Sequence, residues 1–351
     1  MEKVLMKGNE AIAEAAVRAG CRHFFGYPIT PQNELPEYMS HRMPEVGGVF
    51  LQAESEVAAI NMVYGAAGAG ARVMTSSSSP GISLKLEGIS YIAGAELPCV
   101  IINVMRAGPG LGGIQPSQAD YFQAVKGGGH GDYRMTVLAP STVQEAVDLT
   151  MEAFEIADYY RNPVMILADG YIGQMMEPVV FNKTVNPEDL AAKSWATDGA
   201  KGRDVNIINS LFLDPEELEE HNHDLDRKYQ EMKKRENRYE LYKMEDAEMA
   251  IVAYGTTARI STKAVDLARE KGIKLGLIRP ISLYPFPEKI IQESTKDIEK
   301  YLVVEMSMGQ MVEDVKLAVN GQRPVHFHGR TGGMVPTPEE IFSVIEDLWE
   351  E

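Results

Sequence analysis

Three side chains at well-separated points of the chain could handle a small anionic substrate: a carboxylate opening an uncharged helix, a hydroxyl wedged against a proline, and a guanidinium opening a glycine-rich loop. The carboxylate is Glu56, in QAESEVAAINMVYGAAGAGARV (Gln52 to Val73), where no charged residue separates Glu56 from Arg72. A helix so rich in alanine and glycine is expected to be buried all round and closely packed. A carboxylate at its mouth is then either an acid favoured by the helix macrodipole or a partly desolvated group able to share a proton with a ligand nitrogen. Glu54, two residues earlier, competes for the second role.

The hydroxyl is Thr30, in FFGYPITPQNELPEYM (Phe24 to Met39), a stretch with three prolines and no cation. Thr30 directly precedes Pro31, so the spacing predicts Thr30 as an N-cap and Pro31 as the first helical residue: an anion site, or a plain cap. The guanidinium is Arg106, which ends CVIINVM and opens AGPGLGG. It could bind a carboxylate bidentately or close an ordinary ion pair. GPGLGG also matches G-x-G-x-x-G after a strand. Gln115 and Pro116, however, stand where a phosphate-binding helix should run, and no acid ends a following strand about 20 positions on, so a dinucleotide site is disfavoured. TSSSSPG (Thr75 to Gly81) reads as a hydroxyl-lined turn near a ligand or as a polar loop, and His130, His326 and His328 lack metal-ligand spacing.

The elements that must position these groups alternate. Up to about residue 180, short apolar runs such as HFFGYP, ARVMTSSSS, CVIINVMRA, MTVLAP and PVMILADG take turns with helix-patterned segments, which predicts an α/β layer with a mostly parallel sheet. Ligands in such sheets sit beyond the carboxyl ends of the strands, which selects Thr30, Ser76 to Ser79, Arg106 to Gly113, Ala139 to Thr142 and Asp169. A charged run then reads as a connector of solvated helices without chemistry, over residues 183–247. Strand and helix resume at MAIVAYGTTARIS, giving domains at 1–182 and 248–351 on either side of that connector.

The chain has 351 residues, 44% apolar and 24% charged, with a net charge of −17, a globular composition that argues against nucleic acid and against anionic membrane surfaces. The apolar stretches fall short of the roughly 20 residues a membrane span needs, and the start reads as strand then helix without a signal-peptide block, so a cytoplasmic location is expected. Cys21 and Cys99 are the only cysteines. They exclude a disulfide framework and cannot supply the four thiolates of a cubane cluster, so they are expected to be buried structural thiols.

Glu56 followed by a small-residue helix with Gly65 nine positions on resembles the pyrimidine-binding domain of thiamine diphosphate enzymes. Together with GYPITP, ESEVAA, TSSSSPG, ELPCVIINVMRAGPGLG and SQADYFQAVKGGGHGD, it resembles the alpha subunit of 2-oxoacid:ferredoxin oxidoreductases over nearly the whole chain. MRAGPGLGGIQPSQADYFQAVKGGGHGDY is most similar to the branched-chain (2-oxoisovalerate) type. The resemblance implies a pyrimidine-binding domain followed by a transketolase C-terminal-like α/β domain, both of α/β class. It implies that Glu56 hydrogen-bonds N1′ of thiamine diphosphate and is catalytic, that Tyr27 and Pro28 also meet the cofactor, and that Thr30 and Arg106 bind the substrate carboxylate.

The implied activity is oxidative decarboxylation of a branched-chain 2-oxoacid to acyl-coenzyme A and CO2, with ferredoxin reduced. A G-D-G motif with a later Asn, which holds diphosphate and Mg2+ in such enzymes, is matched only in part by ADG (Ala168 to Gly170) and TDG (Thr197 to Gly199). A beta subunit is therefore expected to carry that half of the site, an iron–sulfur (delta) subunit the clusters, with a gamma subunit often present; alone, the chain should be inactive. Two rivals stand: the same chemistry on 2-oxoglutarate, which needs a second cation for which Lys126 is the obvious candidate, and a non-catalytic scaffold of the same fold.

Overall fold

The computed structural model describes residues 3–350. The first part runs β1 (Val4–Lys7), α1 (Gly8–Arg18), β2 (His23–Gly26), α2 (Glu34–Glu45), β3 (Val49–Gln52), α3 (Glu56–Gly68), β4 (Val73–Ser77), α4 (Ser79–Gly94) and β5 (Cys99–Met105). It continues with α5 (Tyr121–Val125), β6 (Thr136–Leu138), α6 (Val143–Tyr160), β7 (Pro163–Asp169), α7 (Gly170–Gln174) and β8 (Met176–Val179). After a largely extended segment come α8 (Pro215–Arg235), β9 (Tyr239–Tyr242), β10 (Met249–Val252), α9 (Gly255–Glu270), β11 (Leu275–Pro280) and β12 (Ser282–Tyr284). The chain ends with α10 (Glu288–Ser294), β13 (Lys300–Glu305), α11 (Met311–Val319), β14 (Val325–Gly329) and α12 (Pro338–Glu350).

Seven strands form one sheet in the order β12-β6-β7-β5-β4-β2-β3, parallel except for β12. The central β5 and β7 are buried at every position, as their unbroken apolar runs require of strands covered on both faces. From β2 the chain steps outward to the edge at β3, then returns past β2 to β4 and continues the other way. That reversal opens a crevice between the carboxyl ends of β2 and β4, where open α/β sheets bind ligands. It lies between Tyr27–Thr30 and Ser76–Ser79.

The second sheet, β14-β13-β10-β11-β9, is parallel except for β9. The two sheets exchange strands across the expected boundaries: β9 comes from the charged segment, and β12 crosses to the edge of the first sheet. The expected pair of solvated helices is a single helix, α8, whose Leu225, Tyr229 and Met232 pack on the core along one face, with Lys228 pairing with Glu96 beside them, while most of its other residues face solvent. Pro215 opens it behind an Asp214 cap, and Lys233, Lys234 and Arg235 lie in its last turn, opposite in sign to its acidic first turn.

The helix after Glu56 departs from expectation. Ala59, Ile60, Val63 and Ala67 are buried, but Val57, Asn61 and Gly65, spaced four apart, form an open stripe along the opposite face. Lack of charge permits a buried helix; it does not supply the neighbour that buries it. No helix among the described residues is long and apolar enough to cross a membrane.

Candidate functional site

Glu56 is the first residue of α3, behind the Ser55 N-cap whose hydroxyl accepts the Ala58 N–H at 3.2 Å. Its side chain is buried at 6% exposure, whereas Glu54 is exposed, so burial separates the two candidates. No hydrogen bond from the described residues reaches the Glu56 carboxylate. Beside it, β4 ends and α4 begins, and a Cβ on Gly81 would run into Ser77 Oγ and into Glu56 Oε1, so only glycine lets α4 approach this closely. The Ser77 and Ser78 hydroxyls are buried and unpartnered. TSSSSPG is thus the end of a buried strand and the start of a helix, with two donors left over, rather than a polar surface loop.

One residue here went unnoticed in the sequence. Lys85 is fully buried on α4, one turn past Gly81, and its Nζ donates to Thr75 Oγ1 (2.5 Å) and to the Ser76 carbonyl (3.2 Å). Burial pushes its amine down to about 7, opposed by the charges of Glu56 and Cys99. The signal was available: Gly81, Ile82, Lys85, Gly88, Ile89 and Ile92 share the buried face of α4 at helical spacing, and a cation on such a face needs a reason. Cys21 and Cys99 are buried thiols pushed up to about 12 by that burial.

Thr30 and Arg106 meet. Arg106 Nη1 donates to the Thr30 carbonyl and Nη2 to the Leu111 carbonyl, both at 3.0 Å. The guanidinium is buried, has no carboxylate partner among the described residues, and its Nε has no partner, so the ion-pair alternative does not hold. The Thr30 cap does not form. Gln32 N–H closes a turn onto the Ile29 carbonyl (3.1 Å), the Thr30–Pro31 peptide is cis, and the helix starts at Glu34. The Pro31 carbonyl, which a first helical residue would give to an amide four residues on, accepts instead from Asn9 Nδ2 (2.8 Å) and Gln174 Nε2 (2.9 Å). Thr30 is therefore presented by a buttressed turn; its hydroxyl accepts only a 3.3 Å bond from Asn33. Buried Gln32 ties this turn to β4 by accepting from Ser76 Oγ at 2.5 Å. Tyr27 and Pro28 stand exposed just past β2.

The loop after Arg106 folds back on itself. Ala107 N–H donates to the Gln115 carbonyl (3.0 Å), Gly113 N–H to the Ala107 carbonyl (2.9 Å), and Arg106 bridges Pro116. No helix follows until the short α5, which removes the dinucleotide reading. Buried Gln118 then fastens the segment to the second sheet: it donates to the Tyr254 carbonyl (2.8 Å) and accepts from Met306 N–H (2.9 Å) and Thr257 Oγ1 (3.1 Å). On the other side, Ser79 Oγ and Asn103 Nδ2 donate to Asp120 at 2.6 and 2.9 Å, though burial still raises the Asp120 carboxyl above its usual range. Lys126 pairs with Asp314 at 2.5 Å and lines a different cavity from Thr30, so it does not serve as the second cation. His328 pairs with Glu340 at 3.0 Å, and His130 faces Tyr91 edge to face; neither joins the site.

A cofactor whose pyrimidine ring presents hydrogen-bonding nitrogens fits what this end of the sheet offers: a buried carboxylate with free lone pairs, two orphan hydroxyls, and a glycine holding the wall open.

Residues 14–244 match the profile of the pyruvate flavodoxin/ferredoxin oxidoreductase, thiamine diphosphate-binding family, and residues 247–341 that of pyruvate:ferredoxin oxidoreductase core domain II. The ketoisovalerate oxidoreductase subunit VorB of Methanothermobacter marburgensis is 54% identical over 348 residues, covering 99% of this chain and 98% of its own. A 2-oxoglutarate:ferredoxin oxidoreductase from Magnetococcus marinus, solved with 2-oxoglutarate, coenzyme A and succinyl-CoA bound, superposes with a TM-score of 0.86 at 25% identity. That match covers 98% of this chain, which spans 65% of the length of the solved one. A split-gene transketolase, solved as an inactive beta4 tetramer, shares the fold at a TM-score of 0.61 and 14% identity, over 97% of each chain. The expected sequence of folds, a thiamine-enzyme α/β domain followed by a transketolase-like one, is the fold of this chain.

Proposed function

Because the chain belongs to the thiamine diphosphate-binding pyruvate flavodoxin/ferredoxin oxidoreductase family, we propose that it is the alpha subunit of a 2-oxoacid:ferredoxin oxidoreductase acting on branched-chain 2-oxoacids. Its reaction converts 2-oxoisovalerate and coenzyme A to acyl-coenzyme A and CO2, while ferredoxin takes up the two electrons released. The observation that carries the reading is the carboxylate of buried Glu56, free of hydrogen bonds from the described residues beside the orphan Ser77 and Ser78 hydroxyls.

Thiamine diphosphate, when bound, supplies the carbon nucleophile that makes decarboxylation possible. Glu56 would hydrogen-bond the pyrimidine N1′ and so favour the imino tautomer of the ring, and the partly dehydrated setting between α3 and α4 would strengthen that bond. Tyr27 and Pro28, at the mouth past β2, flank the same ring. Arg106 and Thr30 take the substrate carboxylate, with the unpartnered Arg106 Nε and the lightly engaged Thr30 hydroxyl as donors. On this reading residues 1–182 are the pyrimidine-binding domain, 183–247 the connector and 248–351 the transketolase C-terminal-like domain.

Diphosphate and Mg2+ fall to a beta subunit, iron–sulfur clusters to a delta subunit, with a gamma subunit completing a cytoplasmic complex that feeds free ferredoxin. The 2-oxoglutarate reading has the Magnetococcus relative in its favour, but Lys126 is occupied by Asp314. A coenzyme A-dependent viologen-reduction assay on the assembled complex, comparing 2-oxoisovalerate, 2-oxoglutarate and pyruvate, decides. Dominant branched-chain turnover is expected; dominant 2-oxoglutarate turnover overturns the substrate, and no coenzyme A-dependent turnover of any of the three overturns the function.

A further inference from the structure

A cavity of about 610 Å³ opens directly past Thr30. Its walls come from the turn at Pro31, from Ile114 and Pro116 of the folded-back loop, and from Tyr171 and Met175 around α7. Arg106 stands behind this wall and ties Thr30 to the loop that carries Ile114, because one guanidinium holds both the Thr30 carbonyl and the Leu111 carbonyl. Among the described residues no arginine or lysine lines it. The one charged lining residue is Glu34. Burial works to raise the Glu34 carboxyl, but its own amide, Asn9, Gln174 and Lys7 outweigh that and hold it below the usual carboxylate range, so it is an anion at neutral pH.

The lining is mixed in chemistry. Thr30, whose carbonyl Arg106 holds, offers a hydroxyl to a single carboxylate; Ile114, two prolines and Met175 supply apolar surface, and Asn33, Gln115, Tyr171, Gln174 and the anionic Glu34 complete the wall. A monocarboxylate with a short branched alkyl tail suits this lining, whereas a second carboxylate on the tail would meet Glu34, whose partner Lys7, at 3.1 Å, stands outside the cavity. Ile114 is half-open, at 57% exposure, so its side chain has apolar surface to bury when a ligand arrives.

We infer that this cavity is the acyl-chain subsite, and that Ile114 is its specificity-determining side chain. The inference rests on the proposed function and adds the place where the substrate's tail is read. The loop that carries Ile114 is fixed by its own hydrogen bonds to Ala107 and by Gly112, whose φ of +60° places it where a Cβ would strike the Ala107 carbonyl, so a change at Ile114 alters the wall without moving Arg106.

The test uses the assembled complex carrying wild type, Ile114→Ala or Ile114→Lys, with kcat/KM measured for 2-oxoisovalerate, pyruvate and 2-oxoglutarate, and KM for coenzyme A. The rise in unfolding temperature with 2-oxoisovalerate, in the absence of coenzyme A, is a second readout. Ile114→Ala should lower the 2-oxoisovalerate to pyruvate ratio about tenfold and reduce the thermal shift. Ile114→Lys should raise the 2-oxoglutarate to 2-oxoisovalerate ratio by at least about tenfold, a new cation now facing the tail. Unchanged ratios in either variant overturn the subsite, as does a change confined to KM for coenzyme A, which would give the cavity to the thiol co-substrate. These failures leave branched-chain turnover by the wild type intact; loss of that turnover in the wild type itself is the separate failure of the proposed function.

Discussion

Two buried glutamates each sit beside the start of a helix, just past a parallel strand, and the protein finishes them in opposite ways. Glu305 ends β13 and accepts backbone N–H groups of Gln310 (3.1 Å), Met311 (3.0 Å) and Val312 (3.0 Å) together with the Ser307 hydroxyl (3.0 Å). Glu56 opens α3, buried but at 6% exposure against none for Glu305, and receives nothing from the described residues. Burial raises the Glu305 carboxyl even against those four donors, which shows how strongly a buried carboxylate asks for partners. A carboxylate whose lone pairs are filled from within is a cap. One left unfilled at a sheet's carboxyl end is waiting for a group from outside.

The first way to break this comparison is to neutralise both acids. Glu56→Gln should lower the complex's turnover by roughly 10³-fold with an unchanged unfolding midpoint. Glu305→Gln should do the reverse, costing roughly 2 to 3 kcal/mol in denaturant unfolding as its amide faces other donors, while turnover per folded complex holds. Equal activity losses in the two variants would erase the distinction.

Arg106→Lys sharpens it next. The ammonium cannot span the Thr30 and Leu111 carbonyls and still meet a substrate carboxylate, so kcat/KM for 2-oxoisovalerate should fall about 10²-fold, most of it in KM. Thr30→Val, which keeps shape and removes the donor, should cost about tenfold in the same measurement.

The smallest effect concerns stability and pH. Lys85 is buried against the site, with its amine lowered to about 7 from an ordinary 10.5. Between those values the folded chain holds fewer protons there than the unfolded chain, so native stability rises with pH across that window and the destabilisation is full below it. In Lys85→Met complexes that contribution disappears. The variant's advantage in unfolding midpoint over wild type should be largest near pH 7 and shrink toward pH 10; a constant difference would place the lysine's charge outside the account.

How far these features could be read from the chain differs residue by residue. Thr30 and Arg106 were legible as strand-end residues, because alternating apolar runs mark the strands and α/β sheets bind ligands past them. The geometry presenting Thr30 was not legible: Thr-Pro ahead of a polar segment has the signature of a helix start, and only Asn9 and Gln174, from α1 and the end of α7, claim the Pro31 carbonyl that the helix would have used. The open stripe on α3 was hidden for a related reason, since composition records what a helix tolerates and not what stands beside it. Lys85 was overlooked although its spacing announced it, and Gln118 could not have been singled out, because its three partner residues lie 136 to 188 positions away.

What the amino-acid order determined by itself was periodic and local. Its apolar runs, breaks and small-residue helix specified the α/β alternation, the residues at strand ends and the carboxylate at a helix mouth, because each follows from the repeat of one element. Tertiary structure alone decided which strand ends became neighbours. The reversal between β2 and β4 brings Tyr27–Thr30 opposite Ser76–Ser79, the strand exchange of β9 and β12 knits the two sheets together, and a guanidinium without an acid is joined to a turn 76 residues away. Those are statements about long-range contacts, and no periodicity within an element carries them.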